Sequence, residues 1–157
     1  MYRILRPLLL VPLILLQAGC GGPEVSPEQR VRDLIDQGEA AAEQRSIGFF
    51  ADRIADEFES KDGMGRRELV RLLQGYFLRH QSIHLLVKTE SVKNEGGRIH
   101  ALVYAGMAGS PVEGFEQLLA MRAGLYRFEL EFSGDDEPML LNARWRRAEV
   151  DEVVPGL

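Results

Sequence analysis

The chain is poor in the groups that most often mark chemistry. Among its 157 residues there is one cysteine, Cys20, one tryptophan, Trp145, and three histidines. A single cysteine can form no internal disulfide and no multi-thiolate metal site. Long apolar runs are missing too. Pro7–Leu16, "PLLLVPLILL", spans about ten residues, half of the roughly 20 that a membrane-crossing helix needs, and Pro7 and Pro12 disfavour a permanent helix there. Positive charge is in the minority, 19 Lys and Arg against 24 Asp and Glu, for a formal net charge of −5. That balance argues against nucleic acid as a partner. No internal repeat and no low-complexity stretch is visible.

What is present starts with the N-terminus. Arg3 and Arg6 precede the apolar run, and small Ala18 and Gly19 follow it, the layout of an export signal. The residues "LLQAGC", Leu15–Cys20, resemble the lipobox of bacterial lipoproteins, with Gln17 where that pattern places leucine. The resemblance implies that residues 1–19 are a signal peptide cut before Cys20, that the Cys20 thiol carries diacylglycerol, and that the new N-terminus is acylated. Several acyl chains hold a protein firmly on a bilayer, where one binds marginally. Gly21 follows Cys20 in place of aspartate, which by the enterobacterial sorting pattern implies the outer membrane, facing the periplasm. Residues 20–27 are then the lipidated cysteine and a flexible tether rich in Gly and Pro, and residues 28–153 the domain. From the residues alone, an ordinary secretory signal cut nearby would leave a lone thiol instead. Acylation takes Cys20 out of redox and nucleophilic chemistry. Loss of Arg3 and Arg6 moves the net charge from −5 to about −7.

Periodicity organises the rest. Ser26, Pro27 and Gln29 read as a capped helix start with a capping box, and Val31, Leu34, Ile35, Gly38, Ala41 and Ala42 recur at helical spacing behind it. Ser46 would cap a second short helix with Ile47, Phe50 and Ile54 inward. "ADEFES" is ambiguous, a candidate short extended segment before the turn at Lys61–Gly65. Arg66–Arg79 is the clearest helix, with Leu69, Leu72, Leu73, Tyr76 and Phe77 on one face. The period then falls to two. Ile83, Leu85 and Val87, then Ile99, Ala101, Val103 and Ala105, then Tyr126, Phe128 and Leu130, then Leu141, Ala143 and Trp145 share the inward parity of four strands joined by turns. Helices first and strands after predict an α+β domain, N-terminal helices packed on a curved antiparallel sheet of about four long strands.

That order, with the ending "NARWRRAEV", resembles the nuclear transport factor 2-like superfamily, a cone-shaped fold shared with ketosteroid isomerases and SnoaL-like cyclases. The likeness covers about Pro27 to Val153, and Gly75–Val87 resembles a segment of proteobacterial lipoproteins of this type. It carries no catalytic motif, and the fold hosts enzymes, binders and assembly modules alike.

Enzymes of this fold use a proton-moving carboxylate or histidine inside the cone. No inward strand position holds one. Arg122, four residues before Tyr126, shares inward parity and would meet an anionic ligand at the cone mouth, unless Gly124 is a bulge that turns it to solvent. Tyr76, Tyr126 and Trp145 complete the candidate pocket lining, with Tyr104 a further hydroxyl. Asp52, Asp56 and Asp62 are the candidate acids from the helix region. A turn centred on Glu95-Gly96 would set His84 opposite about residue 107 and His100 opposite about Ser91, roughly 23 Å apart, so they share no metal. His80 reads as an end-of-helix residue. No catalytic residue, metal or cofactor is assigned. The expected partners are the membrane, through the N-terminal lipid, and a small apolar ligand or an envelope protein. Alternatives are an isomerase- or cyclase-type enzyme, and a homodimer paired through His84, Leu86, Leu102 and Tyr104 on the outer sheet face. The cluster Arg144–Arg147 points to both strand faces and is expected to pair with Glu129 and Glu131.

Overall fold

Ser26 opens the first helix in the computed structural model, which describes residues 24–121 and 124–153. Cys20 and Arg122 lie outside the described residues. Helix α1, Pro27–Glu43, begins with the Ser26 hydroxyl accepting from the Gln29 amide at 3.2 Å and with proline in its first turn. The predicted capping box is incomplete: the Gln29 side chain turns forward and donates to Asp33 at 2.8 Å. Helix α2, Ile47–Arg53, ends before Ile54, which begins strand β1, Ile54–Ser60. Helix α3, Arg66–Arg79, has the predicted bounds, but Leu72 is exposed.

Strands β2, His84–Glu95, and β3, Arg98–Ala108, form a hairpin. Its turn falls on Gly96 and Gly97, both with positive φ (64° and 84°), the backbone that a two-residue turn of this hand requires. The turn thus sits one residue later than expected. His84 faces Ala108, and His100 faces Lys93. A bulge between Thr89 and Ser91 reverses the parity of β2, so Val92 joins the core side. A short helix α4, Phe115–Ala120, precedes strand β4, Gly124–Ser133, and strand β5, Leu140–Arg147, leads to a last turn of helix, α5, Val150–Val153.

The sheet has five strands in the order β1-β5-β4-β3-β2 and is mixed, not purely antiparallel. The ambiguous "ADEFES" segment is the fifth strand, paired parallel to β5. A second irregularity places Asn142 opposite Glu131 but Leu140 opposite Phe132. It is therefore Leu140, not Leu141, that faces inward with Phe132.

The inner sheet face packs on α1 through Val31, Leu34 and Ile35 against Ile99, Ala101, Val103 and Phe132. The outer face is partly covered as well. A Cβ on Gly106 would stand 2.3 Å from Leu118 Cδ1, so α4 approaches β3 where only glycine leaves room. Val153 of α5 packs with Tyr104 and Leu125. Glu152 fixes α5 by accepting from both terminal nitrogens of Arg146, at 2.9 and 2.8 Å. The patch expected to pair two copies is thus occupied at Leu102 and Tyr104 by the chain's own α5, Phe115 and Ala148. Glu131 pairs with Arg98 rather than with the Arg144–Arg147 cluster.

Candidate functional site

Between α1, α2, α3 and the concave sheet face lies a cavity of about 280 Å³. Its walls follow from the periodicities. Helix α1 supplies Leu34, Ile35, Gly38 and Ala42, and the second and third helices add Phe49, Phe50, Leu73 and Phe77. Strand positions of one parity supply Leu85, Val87, Val103, Ala105, Met107, Phe128 and Leu130. Three lining residues carry polar side-chain groups: Glu39, Arg53 and Tyr76. This volume is near the lower end of ligand-sized pockets, about 300–1,000 Å³, and the mix of an apolar wall with few polar groups is typical of them.

Of the four residues expected to line a pocket, Tyr76 does so. Its ring stacks on His80 with centroids 4.2 Å apart, and burial raises its hydroxyl pKa above the ordinary 10.0, with Tyr126 adding to the rise. Tyr126 stands beside Phe128, ring centroids 6.4 Å apart, but is not part of the lining. Trp145 faces Phe128 in register, yet it is 36% exposed and borders a shallow groove with Lys61, Arg127 and Arg144. The pairing of β1 with β5 stops at Ala143, so Trp145 has a strand neighbour on one side only, Phe128 of β4. The candidate acids Asp52, Asp56 and Asp62 are all exposed, and Asp56 is held by Arg66 at 2.7 Å. Among the described residues no group of three or more His, Cys, Asp or Glu could hold a metal, and no helix is long and apolar enough to cross a membrane.

The carboxylate at the cavity is Glu39, which strand parity could not reveal because it sits on a helix. The signal lay in α1: Glu39 is four residues after Ile35 and three before Ala42, both buried, so it occupies the apolar stripe. Burial is the main influence on it and pushes its carboxyl above the ordinary 4.5. A hydrogen bond from the Val87 backbone opposes the rise, while Glu43 and Asp36 add to it. One turn on, Glu43 accepts the Leu85 amide at 3.0 Å. Two carboxylates on α1 thus cover alternate backbone amides of β2, the edge strand of the sheet.

The raised pKa has a direction in stability. Folded Glu39 keeps its proton to higher pH than unfolded Glu39, so its ionisation opposes folding above the raised value and not below the ordinary one. Glu39→Gln is therefore expected to raise the melting temperature at neutral pH, with the gain vanishing as pH falls through the carboxylate range. Melting curves of both chains across that range check it; a gain independent of pH would assign the effect to packing.

No family model matches the sequence, and no curated protein matches it. Solved structures do. The chain superimposes on Bd1075 of Bdellovibrio bacteriovorus with a TM-score of 0.62 at 7% identity, over 78% of this chain and 41% of that one, so it spans less than half of that protein. It superimposes on a candidate calcium/calmodulin-dependent protein kinase type II association domain from Thiobacillus denitrificans with a TM-score of 0.59 at 12% identity, over 75% of this chain and 94% of that one. A candidate dehydratase of the NTF2-like family from Streptomyces avermitilis gives 0.59 at 13% identity, over 78% and 96%. An α+β cone of helices closed over a curved sheet, with a cavity between them, is the class these geometries define. The domain has the nuclear transport factor 2-like (NTF2-like) fold.

Proposed function

We propose that this chain is a lipid-anchored protein of the bacterial envelope, held through Cys20 at the outer membrane and facing the periplasm, whose cone binds a small apolar ligand without transforming it. The observation that carries the binding half is the apolar cavity of about 280 Å³. Such a wall contributes affinity by removing ligand surface from water, about 25 cal/mol per Å² before the costs of association. The solvent-facing positions of Asp52, Asp56 and Asp62 support a binder over an enzyme.

Native mass spectrometry of the chain from Gly21, purified without detergent, tests the reading. A discrete added mass is expected. Ala105→Leu places three more carbons into the cavity and is expected to remove that mass while lowering the melting temperature by no more than about 10 °C, since overpacking typically costs about 1–3 kcal/mol. A parent chain with no retained mass, and none after incubation with a mixture of fatty acids and sterols, would remove the proposal.

A second reading, an isomerase- or cyclase-type enzyme, draws on one observation: Glu39, with its raised pKa, and Tyr76 line the same cavity. If the retained compound is converted on incubation and Glu39→Gln retains it unchanged, the enzyme reading replaces the binder.

A further inference from the structure

Helix α3 carries four arginines, Arg66, Arg67, Arg71 and Arg79, against one acid, Glu68, in a chain that is acidic as a whole. Arg66 serves the fold, with its guanidinium on Asp56 at 2.7 Å and on the Ala51 carbonyl at 2.6 Å. Arg67, Arg71 and Arg79 are exposed, and among the described residues no carboxylate pairs with them. Helical spacing puts Arg67, Arg71, Gln74 and Leu78 on one stripe, while Arg79 and Leu72 lie about 110–130° round the helix from its middle, beyond Glu68. The leucines are in water: Leu72 is 46% exposed and Leu78 79%. On α1, by contrast, Glu28, Asp33, Asp36, Glu39 and Glu43 outnumber Arg30 and Arg32.

We propose that this stripe of α3 docks on an anionic lipid surface, Arg67 and Arg71 on headgroup phosphates and Leu78 at the acyl boundary. Guanidinium groups bind phosphate oxygens in a fork, and leucines beside basic residues suit an interface that is polar above and apolar below. The proposal rests on the lipid-anchor reading, which brings the surface within reach. From Cys20 to Pro27 the tether spans at most about 25 Å, less than the width of such a domain, on the order of 35 Å. Some face of the domain therefore stays near the headgroups, and the Arg67–Leu78 stripe offers them two arginines without a carboxylate partner among the described residues and an exposed leucine. The acidic face of α1 does not cancel this, because charges more than about 8 Å apart are screened at physiological salt. An acidic protein could use the same arginines, but the tether makes the bilayer the permanent neighbour.

The test uses the full chain with Gln74→Cys carrying a polarity-sensitive fluorophore, reconstituted in vesicles of phosphatidylcholine alone or mixed with phosphatidylglycerol. In the mixed vesicles the probe is expected to shift to the blue and to be quenched by lipid-borne quenchers. The same probe at Asp33→Cys on α1 should report water in both. Each arginine near an anionic surface changes the docking constant about fivefold, so R67Q/R71Q should lower it about 25-fold. Leu78→Ser should weaken it further. A probe at Gln74 that reports water in both vesicles overturns the proposal, as does shielding unchanged in the double variant or shielding that requires added envelope protein. Flotation with pure phosphatidylcholine vesicles reads the anchor separately. A chain that floats there with an unshielded Gln74 probe keeps its anchor and loses the docking face. A chain that floats only with phosphatidylglycerol, and through the arginines, loses the anchor and keeps the face.

Discussion

Phe77→Ala is expected to cost about 3–5 kcal/mol of folding stability, and Leu78→Ala, one residue later, less than about 0.5 kcal/mol. The two side chains leave α3 about 100° apart, which is the whole difference. Phe77 is 7% exposed and packs with Ala42 and Ile83, its ring 5.8 Å from that of Phe50. It also closes part of the cavity. Truncating it enlarges a void whose walls are already held apart by three helices and the sheet, so little collapse can offset the loss. Leu78 is 79% exposed and has almost no apolar contact to lose. For a domain of this size the first change corresponds to a fall of about 10–20 °C in melting temperature and the second to none. Urea and thermal unfolding of both variants check this. Equal losses would mean that α3 is rotated about its axis, and that Leu78 is not available for a membrane surface.

The strongly periodic parts of this fold are legible in the sequence, and the failures share causes. Arg66–Arg79 has its bounds written in a helical apolar stripe between the turn at Gly63 and the extended backbone of His80. Leu72 misleads there because it is apolar yet lies one step off the stripe of Leu69, Leu73, Tyr76 and Phe77. Strand parity holds for β3 along its length, but it slips in β2 after Thr89 and in β5 at Leu141, because a bulge adds a residue with no side-chain signature. Strand β1 was hidden for another reason. It is short and acidic on its exposed side, and its partner is far away in sequence: Ile54 lies opposite Leu140. Six residues of α4 are too few to display a helical period.

The site shows the same division. Its apolar wall was readable, since the inward parity of Leu85, Val87, Val103, Ala105 and Phe128 is what lines the cavity. Its carboxylate carries no strand-parity signal, because it lies on α1. Glu39 interrupts an apolar helical stripe, and a charged residue at such a position signals either an edge to be covered or a ligand to be met. Its approach to the Val87 backbone satisfies the first requirement, and its place in the lining leaves it open to the second.

Cys20→Ala is expected to abolish incorporation of an alkyne-tagged palmitate and to leave residues 1–19 attached, raising the mass of the unprocessed chain. On the proposed anchor the Cys20 sulfur is the sole thiol and thus the sole acceptor for diacylglycerol, so no second residue can substitute. The anchor is also an energetic quantity. Each buried methylene contributes about 0.8 kcal/mol, a single acyl chain binds reversibly, and two or more hold a protein on the bilayer for practical purposes. Removing the sulfur should therefore switch the location of the chain rather than dilute it. The domain should not notice. Its first described helix begins at Pro27, and the melting curve of the Cys20→Ala chain, once freed of its leader by a protease site placed at Gly21, should overlay that of the parent. A Cys20→Ala chain that still carries palmitate would remove the anchor, while a parent chain cut near Cys20 but unlabelled would make the leader an ordinary secretory signal. In either case the cavity keeps its geometry and its own test, because no described residue that lines it lies before Leu34.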